Sequence, residues 1–250
     1  MLRSFFAALC LVMVSCASGI ADDGVYELRI YTCEPGKLNA LNERFREHTM
    51  QLFEKHGIEN IAYWTPTAGE KEDPRLIYVI KHKSRDAAKE SWKAFIADPE
   101  WKAVAKASAE AHGKILAKAP ESVYMTATDY SPEAGKVNQK KVYELRTYTT
   151  AEGRLDNLNA RFRDHTVEIF KRNGLDSFAY WTPLDEPKSS NTLIYVLEYE
   201  SQAQAKESWK KFGADPAWKK ARAESEKDGR ILSQRPESVY MVPTDYSPAR

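Results

Sequence analysis

The 250-residue sequence has almost no net charge. Its 37 Lys and Arg side chains are balanced by 36 Asp and Glu side chains, and the basic residues are dispersed along the chain. A protein that binds nucleic acid or an anionic membrane through charge needs Lys and Arg clustered on one face. The composition therefore predicts no nucleic-acid partner.

Cysteine is also scarce, with only three in the chain. Two of them lie in the leader described below, so an exported chain would keep Cys33 alone and form no internal disulfide. The fold must then be held by packing, for which 42% hydrophobic residues are sufficient. Thr150 takes the place of Cys33 in the second half, which argues against a shared catalytic thiol. Phosphate loops, nucleotide fingerprints and nucleophile–base sets are missing too.

The N-terminus has the pattern of a secretory signal. A short apolar run follows Arg3 and gives way to small residues that end at Ala21, and the run is too short to span a bilayer. Residues 1–21 are therefore predicted to be a signal peptide cleaved after Ala21, with the mature chain secreted or periplasmic and without a transmembrane segment. The alternative is a lipoprotein signal with Cys16 as the lipidated residue, although the residues before Cys16 match such signals poorly.

The chain repeats itself at an offset of 117 residues. Val25–Pro66 and Val142–Pro183 are identical at 23 of 42 positions, and the motifs LIYV, KESWK and ESVYM also occur in both halves. Two copies of one domain are therefore predicted, at 22–130 and 142–250, joined by a polar linker at 131–141.

Each copy has the pattern β-α-β-β-α-β. The stretch VYELRIYTC alternates as a strand does, and apolar residues at three- and four-residue spacing then predict a helix that ends at Gly57. Ser84 is a candidate N-cap for the second helix, and Asp98 followed by Pro99 predicts an interruption and a restart. The order of elements is that of a ferredoxin-like fold, with both helices on one face of an antiparallel sheet.

The strands carry apolar residues on both faces, for example Ile77 and Val79 against Leu76, Tyr78 and Ile80. A sheet that is covered on one side only would alternate with polar residues. The second face must therefore be buried as well, most simply against the other copy. The predicted fold class is α+β, with two tandem ferredoxin-like (βαββαβ) units forming an intrachain pseudo-dimeric α+β barrel. A monomer with this internal pseudo-dimer is expected, and a higher oligomer stays open.

Each first helix carries a histidine beside its apolar stripe. At 100° per residue, His48 lies about 60° from Phe45, and His165 repeats this position, so both rings are expected to point toward the sheet. One interpretation is a neutral core histidine bonded to a strand. The other is a pair of catalytic or ligand-binding residues facing a cavity. The other histidines are not repeated, so no metal site is predicted.

The first strand and the AYWTP motif supply candidate ligand-binding residues. A glutamate, an arginine and a tyrosine share one face of the first strand, and either they form a Glu–Arg ion pair or the arginine holds an anion. The alternation leaves open which face meets the helices. The adjacent Tyr and Trp of AYWTP point to opposite faces, for packing or for stacking on a planar ligand. The candidates are Arg29, Tyr31, Tyr63, Trp64, Arg146, Tyr148, Tyr180 and Trp181.

In combination, YELRIYTCEPGKL, RFREH, IAYWTP and DPEWKA resemble the NIPSNAP domain, a member of the dimeric α+β barrel superfamily. The resemblance covers the mature chain once per repeat. The second copy departs from it at TTAEGRL, where Glu152 replaces Pro35. Such domains usually pair between two chains, and a tandem would satisfy that pairing internally. NIPSNAP proteins are mostly described as binding or signalling proteins.

The resemblance also implies a place for a ligand. Relatives in the superfamily include cofactor-independent monooxygenases and haem-degrading or haem-binding proteins, which use the space between sheet and helices. We therefore expect an exported protein that binds a small, partly apolar molecule in that space. The alternatives are a cofactor-independent monooxygenase or isomerase with a pocket histidine, and a structural or interaction module without a ligand. No cofactor is predicted, and haem enters only through the resemblance.

Overall fold

The computed structural model describes residues 24–250. The predicted signal peptide at 1–21, its cleavage after Ala21 and the alternative lipidation of Cys16 lie outside the described residues. No helix within 24–250 is both long enough and apolar enough to cross a membrane.

The first copy contains four strands and two helical segments, each divided in two. Its elements are β1 (Val25–Thr32), α1 (Leu38–Arg44), a π turn (Phe45–Thr49), α2 (Met50–Lys55), β2 (Glu59–Pro66), β3 (Arg75–His82), α3 (Arg85–Ala97), α4 (Pro99–His112) and β4 (Glu121–Ala127). The π turn joins α1 and α2 into one rod. Ser84 caps α3 by accepting a hydrogen bond from the Ala87 amide at 3.1 Å. Asp98 caps α4 by accepting from the Glu100 amide at 2.7 Å, so both predicted caps are present.

The second copy repeats this order with one short addition. Its elements are β5 (Val142–Thr149), α5 (Leu155–Arg161), a π turn (Phe162–Thr166), α6 (Val167–Arg172), β6 (Asp176–Pro183), a short 3₁₀ turn (Lys188–Ser190), β7 (Thr192–Tyr199), α7 (Gln202–Ala214), α8 (Pro216–Ser225) and β8 (Glu237–Pro243). Helix α8 has 10 residues where α4 has 14. This is the largest difference between the copies in their regular elements.

The eight strands form one closed barrel in the order β1-β3-β2-β8-β5-β7-β6-β4. Each copy contributes four neighbouring strands in the ferredoxin-like order, and all pairs are antiparallel. The copies join at two edges, where Trp64 lies opposite Pro243 and Met125 opposite Pro183. Closure leaves no sheet edge unpaired, and it confirms the predicted pseudo-dimeric barrel.

The core has three parts, which explains why the strands are apolar on both faces. The barrel interior mixes side chains of both copies, as where Trp64 packs edge-on against Phe178 at 5.6 Å between ring centroids. Each copy also has a layer between its sheet and its helices, centred on Phe45 in the first and Phe162 in the second. The four strands of each copy therefore lie between two apolar layers, the barrel interior on one side and the layer beneath the helices on the other.

The last residues of each copy cross over to the other copy. Ser131 accepts a hydrogen bond from the backbone amide of Tyr180, and Ser247 accepts one from that of Tyr63, both at 2.9 Å. Within the stretch predicted as a linker, Val137 is fully buried in the barrel cluster and bridges to Ala249. The connection between the copies therefore packs against the barrel.

Candidate functional site

The polar face of the first strand meets the helices. Glu27 is fully buried there, and Arg29 and Tyr31 lie on the same side, whereas Tyr26 and Leu28 belong to the barrel interior. This establishes which face of the first strand meets the helices, a point that the alternation left open. The Glu–Arg–Tyr face lies in the space where a ligand was expected.

Glu27 is the centre of a buried hydrogen-bond network. Its carboxylate accepts from Arg29 Nη1 at 2.6 Å, Ser122 Oγ at 2.6 Å and Trp92 Nε1 at 2.8 Å, and His82 Nε2 lies at 3.0 Å. Burial by itself would raise the pKa of Glu27, but the hydrogen bonds from His82 and its other partners and the charge of Arg29 lower it to about 2. The carboxylate is therefore ionised at neutral pH and fully engaged.

The second copy rebuilds the network with one replacement. Glu144 accepts from Arg146 at 2.5 Å and Trp209 at 2.8 Å, and Tyr199 takes the place of His82 and donates at 2.7 Å. In both copies the arginine also stacks on the tryptophan, with Cζ 4.4 and 4.2 Å from the ring centroid. The ion pair anticipated as one alternative is what forms. Arg29 and Arg146 are held inside the chain rather than presented to a ligand.

The structure contradicts the expected placement of the two histidines. His48 and His165 are both exposed, whereas the next residues, Thr49 and Thr166, are buried. Neither imidazole lies between helix and sheet or shares a pocket with the first strand. The prediction that the rings point toward the sheet is therefore wrong.

The π turns account for this difference. A π turn closes hydrogen bonds over five residues instead of four, so it accommodates an extra residue and rotates the side chains that follow. The amide of Met50 bonds to the carbonyl of Phe45, five residues back. Thr49 Oγ1 donates to the carbonyl of Arg44 at 3.1 Å, and the second copy repeats both features. The threonine of each π turn therefore points toward the sheet, and the histidine before it is turned to the outer side of the helix.

The Tyr–Trp pairs point to opposite faces, as expected, and both members pack. Tyr63 stacks on Tyr78 at 5.0 Å in the helix layer, and Tyr180 stacks on Tyr195 at 5.4 Å. Trp64 and Trp181 lie in the barrel interior. All four residues of the two pairs are almost completely buried. The geometry gives them a core role.

A groove of about 410 Å³ separates the first helix of the first copy from α4. Its apolar walls are formed by small side chains: Ala40, Ala103, Val104, Ala107 and Ala111. Arg44, Ser108, Glu43, Glu47, His48 and His112 complete the lining. We call this the alanine groove. His48 thus borders a pocket, although on the outer side of the helix and with its ring exposed.

Two polar side chains in the alanine groove lack hydrogen-bonding partners among residues 24–250, although the guanidinium of Arg44 lies over the ring of Trp101 with Cζ 5.5 Å from its centroid. Arg44 forms no salt bridge or side-chain hydrogen bond with any residue in 24–250, and its Nε is buried. Ser108 Oγ is likewise buried without a partner among these residues. Burial lowers the pKa of Arg44, but an arginine in a protein stays protonated. A half-buried positive charge and a hydroxyl group are therefore available for a ligand.

The equivalent arginine of the second copy is neutralised from within the chain. Arg161 Nη1 donates to Glu226 Oε1 at 3.2 Å and to Ser225 Oγ at 3.3 Å. The shorter α8 makes this possible, because it ends at Ser225 and the next residue turns toward Arg161. Arg154 holds that helix end by donating to the carbonyls of Ser225 and Gly229, each at 3.0 Å.

Neither a metal site nor the surroundings of a haem can be recognised among the described residues. Residues 24–250 contain no group of three or more His, Cys, Asp or Glu side chains placed to hold a metal ion. The surroundings of His48 do not suit a haem. His48 is exposed beside Glu43 and Glu47, where the haem propionates would meet two like charges.

The sequence patterns did not single out the residues that now stand out. Arg44 and Arg161 lie three residues after Leu41 and Leu158, on the flank of the apolar stripe, and this spacing could have marked them as at least partly buried. Glu226 had no such signal, because its position depends on where α8 ends.

The fold defines the class of protein: a closed α+β barrel built from two βαββαβ halves with the helices outside. The NIPSNAP family model matches residues 26–132 and 143–248, once per copy. The chain belongs to the NIPSNAP family and holds two of its domains in tandem. No curated protein sequence matches the chain.

Several solved structures are similar to the chain. A candidate monooxygenase from Fusobacterium nucleatum is similar over 88% of this chain and 91% of its own, with 13% identity and a TM-score of 0.53. A candidate monooxygenase from Lactobacillus acidophilus is similar over 88% and 93%, with 13% identity and a TM-score of 0.50. A NIPSNAP family protein from Agrobacterium tumefaciens covers 44% of this chain and 97% of its own, with 22% identity and a TM-score of 0.37. At these identities the likeness concerns the fold alone.

Proposed function

We propose that the protein binds a small, partly apolar molecule with a single negative charge, such as a medium-chain carboxylate, in the alanine groove. One observation carries the proposal. Arg44 has no acidic partner among residues 24–250, whereas its counterpart Arg161 is paired with Glu226 at 3.2 Å. The second copy thus displays a carboxylate against this arginine. In the first copy, a ligand would supply it.

The shape of the alanine groove suits an alkyl chain. Small-molecule pockets commonly have volumes of roughly 300–1,000 Å³ and apolar walls with a few polar groups. The groove is about 410 Å³, and four of its apolar residues are alanines. Small side chains let the ligand lie close to both helix backbones, and the hydroxyl of Ser108 supplies a second polar contact.

The charges around the groove favour one negative charge over two. A carboxylate can accept two hydrogen bonds from one guanidinium, and the half-buried position of Arg44 strengthens that contact. Glu43 and Glu47 are exposed at the rim and would repel a second anionic group. A monocarboxylate therefore fits better than a phosphate or a dicarboxylate.

The other hypotheses have weaker support. An oxygenase that deprotonates its substrate needs a base shielded from water, and both repeated histidines are exposed. The likeness to candidate monooxygenases concerns only the fold. A module without a ligand would leave the alanine groove and the unpaired Arg44 without a role. Export from the cell stays a proposal that rests on the leader sequence.

Calorimetric titration of the folded chain with octanoate tests this function, with octanol and octylamine as matched probes. We expect octanoate to bind best, because only its carboxylate can pair with Arg44. Arg44→Met should weaken octanoate binding about tenfold, equivalent to ~1.4 kcal/mol, and leave octanol binding unchanged. Ala107→Trp should fill the groove and weaken all binding.

Arg46→Met is the matched control, because Arg46 lies on the same helix but pairs outside the groove with Asp245. This variant should bind octanoate as the parent does. Equal binding of octanoate and octylamine, or an equal loss in Arg44→Met and Arg46→Met, would contradict the proposal. So would the absence of any binding by octanoate.

A further inference from the structure

We infer that the second copy carries a separate site for a phosphate monoester. The site is a pocket of about 640 Å³ between the end of β5, helix α8 and the segment 230–236. Four arginines line it: Arg161, Arg222, Arg230 and Arg235. We call it the arginine pocket. It lies in the other copy from the alanine groove, and its ligand class does not depend on that groove.

The arginine pocket has more positive charge than the chain neutralises. Glu226 is the one acidic residue in its lining. Glu226 is shared between Arg161 at 3.2 Å and Arg222 at 3.1 Å. Arg230 and Arg235 are exposed and form no salt bridge with any residue in 24–250. An anion with several acceptor oxygens would satisfy them, and arginine binds phosphate through paired hydrogen bonds.

The first copy shows what the same region looks like when it is neutralised. There Lys114 pairs with Glu34 at 3.1 Å, and Lys118 pairs with Glu121 at 2.5 Å. In the second copy Ala151 replaces Glu34, so Arg230, at the position of Lys114, has lost its partner. The backbone amides of Glu34 and Ala151 each donate a 2.8 Å hydrogen bond to the carbonyl of the residue after Lys114 or Arg230, which confirms that the positions correspond.

Arginines were also gained where the first copy has none. Arg222 stands at the position of Ala105, and Arg235 at that of Ala119. Gln234 replaces Lys118 and Glu226 replaces Ala109, so the net charge of the lining equals that of its first-copy counterpart, but its cations are now four arginines. Four arginines beside a single glutamate are a cluster of positive charge, and such a cluster attracts a negatively charged ligand.

The remaining lining can hold an organic group on the phosphate. Tyr148, Trp218 and Leu232 offer aromatic and apolar surface beside the arginines. The segment that carries Arg230 and Arg235 is fastened to the end of β5, where Ser233 bonds to the Thr149 carbonyl at 3.0 Å. Such fastening lowers the entropic cost of binding. A planar or apolar phosphate monoester therefore fits better than inorganic phosphate.

Calorimetric titration of the full chain with phenyl phosphate tests the inference. We expect phenyl phosphate to bind more tightly than inorganic phosphate, and added salt to weaken binding because exposed charges are screened. The double variant R230A/R235A should lose affinity about tenfold or more. The matched control, K114A/K118A, removes the two lysines of the equivalent segment in the first copy and should leave phenyl phosphate binding unchanged.

A third variant removes no arginine. Ala151→Glu would restore against Arg230 the partner that Glu34 provides for Lys114, and it should weaken phenyl phosphate binding by about threefold to tenfold. Because position 151 is partly exposed, the fold should be retained. Circular dichroism of each variant checks this point.

The same phosphate group could be offered by a lipid. Sedimentation with phosphatidylcholine vesicles, with and without phosphatidic acid, distinguishes the two sources. Binding to phenyl phosphate without binding to vesicles would support a small-molecule ligand. Vesicle binding alone, affinity for phenyl phosphate that survives R230A/R235A, or an equal loss in K114A/K118A would overturn the inference. None of these results bears on octanoate binding, so the two sites can fail independently.

Discussion

The two copies share their polar cores and differ at the ends of their last helices. Glu27 and Glu144 collect nearly the same hydrogen bonds, so this network belongs to what makes each half fold. Helix α4 runs four residues further than α8, and in the first copy it leaves a groove beside Arg44. In the second copy the earlier end brings Glu226 onto Arg161. Agreement between copies thus marks the fold, and divergence marks the candidate ligand sites.

The shared network should be the most costly feature to break. Glu27→Gln keeps the shape of the side chain but leaves Arg29 buried without a counter-charge, which typically costs about 3–5 kcal/mol in the free energy of unfolding. Glu144→Gln should cost a similar amount if the copies are equivalent. Urea unfolding of the two variants measures both losses. A large loss in one variant and none in the other would break the equivalence.

Acid should weaken the same network. The pKa of Glu27 is lowered from its ordinary value of 4.5 to about 2 in the folded state, so the folded state binds fewer protons than the unfolded chain as pH falls. The carboxylate therefore contributes stability above about pH 4.5, and the contribution, ~3 kcal/mol, is lost as pH falls toward 2. Urea unfolding across this range should show a shallower pH dependence for Glu27→Gln. Parallel curves would contradict this.

The two arginines at the ends of the first helices should respond with opposite signs. Arg161→Met removes a buried cation that is paired with Glu226, so it should lower the free energy of unfolding by about 2 kcal/mol. Arg44→Met removes a half-buried charge without an acidic partner, so it should raise the free energy of unfolding by about 1 kcal/mol in the absence of ligand. Equal destabilisation by both variants would mean that Arg44 has a partner in solution.

The smallest expected changes in the free energy of unfolding concern neighbouring residues in the π turn. Thr49→Val removes a hydroxyl bonded to the Arg44 carbonyl, which should cost about 1 kcal/mol in the free energy of unfolding. His48→Ala and His165→Ala change exposed rings and should each cost less than about 0.5 kcal/mol. Thermal unfolding of the three variants tests the order. A larger loss of stability in either histidine variant than in Thr49→Val would support the buried placement that the helical period predicted.

The fold could be predicted from the sequence because its signals are local and are repeated. Ser84, Asp98 and Gly57 mark helix ends directly, and strands with two apolar faces require a second layer. The NIPSNAP family followed from motifs that occur in both copies. The outward position of His48 could not be predicted, because a single π turn shifts the helical phase without a strong sequence pattern.

The candidate ligand sites were less accessible to sequence reasoning. Arg44 owes its significance to the lack of an acidic partner among the described residues, and a missing contact leaves no motif. Glu226 reaches Arg161 just after the end of α8, at the position of Ala109 in the first copy, and the four arginines of the second site come from three separated stretches of chain. Such features depend on how segments meet rather than on spacing within one segment.

A crystal structure of the protein with bromine-labelled octanoate tests the central claim most directly, since anomalous scattering locates the bromine without ambiguity. We expect one bromine peak between α1 and α4, with the carboxylate within hydrogen-bonding distance of Arg44 and no peak beside Arg161. A bromine in the second copy, or a carboxylate bound away from Arg44, would contradict it.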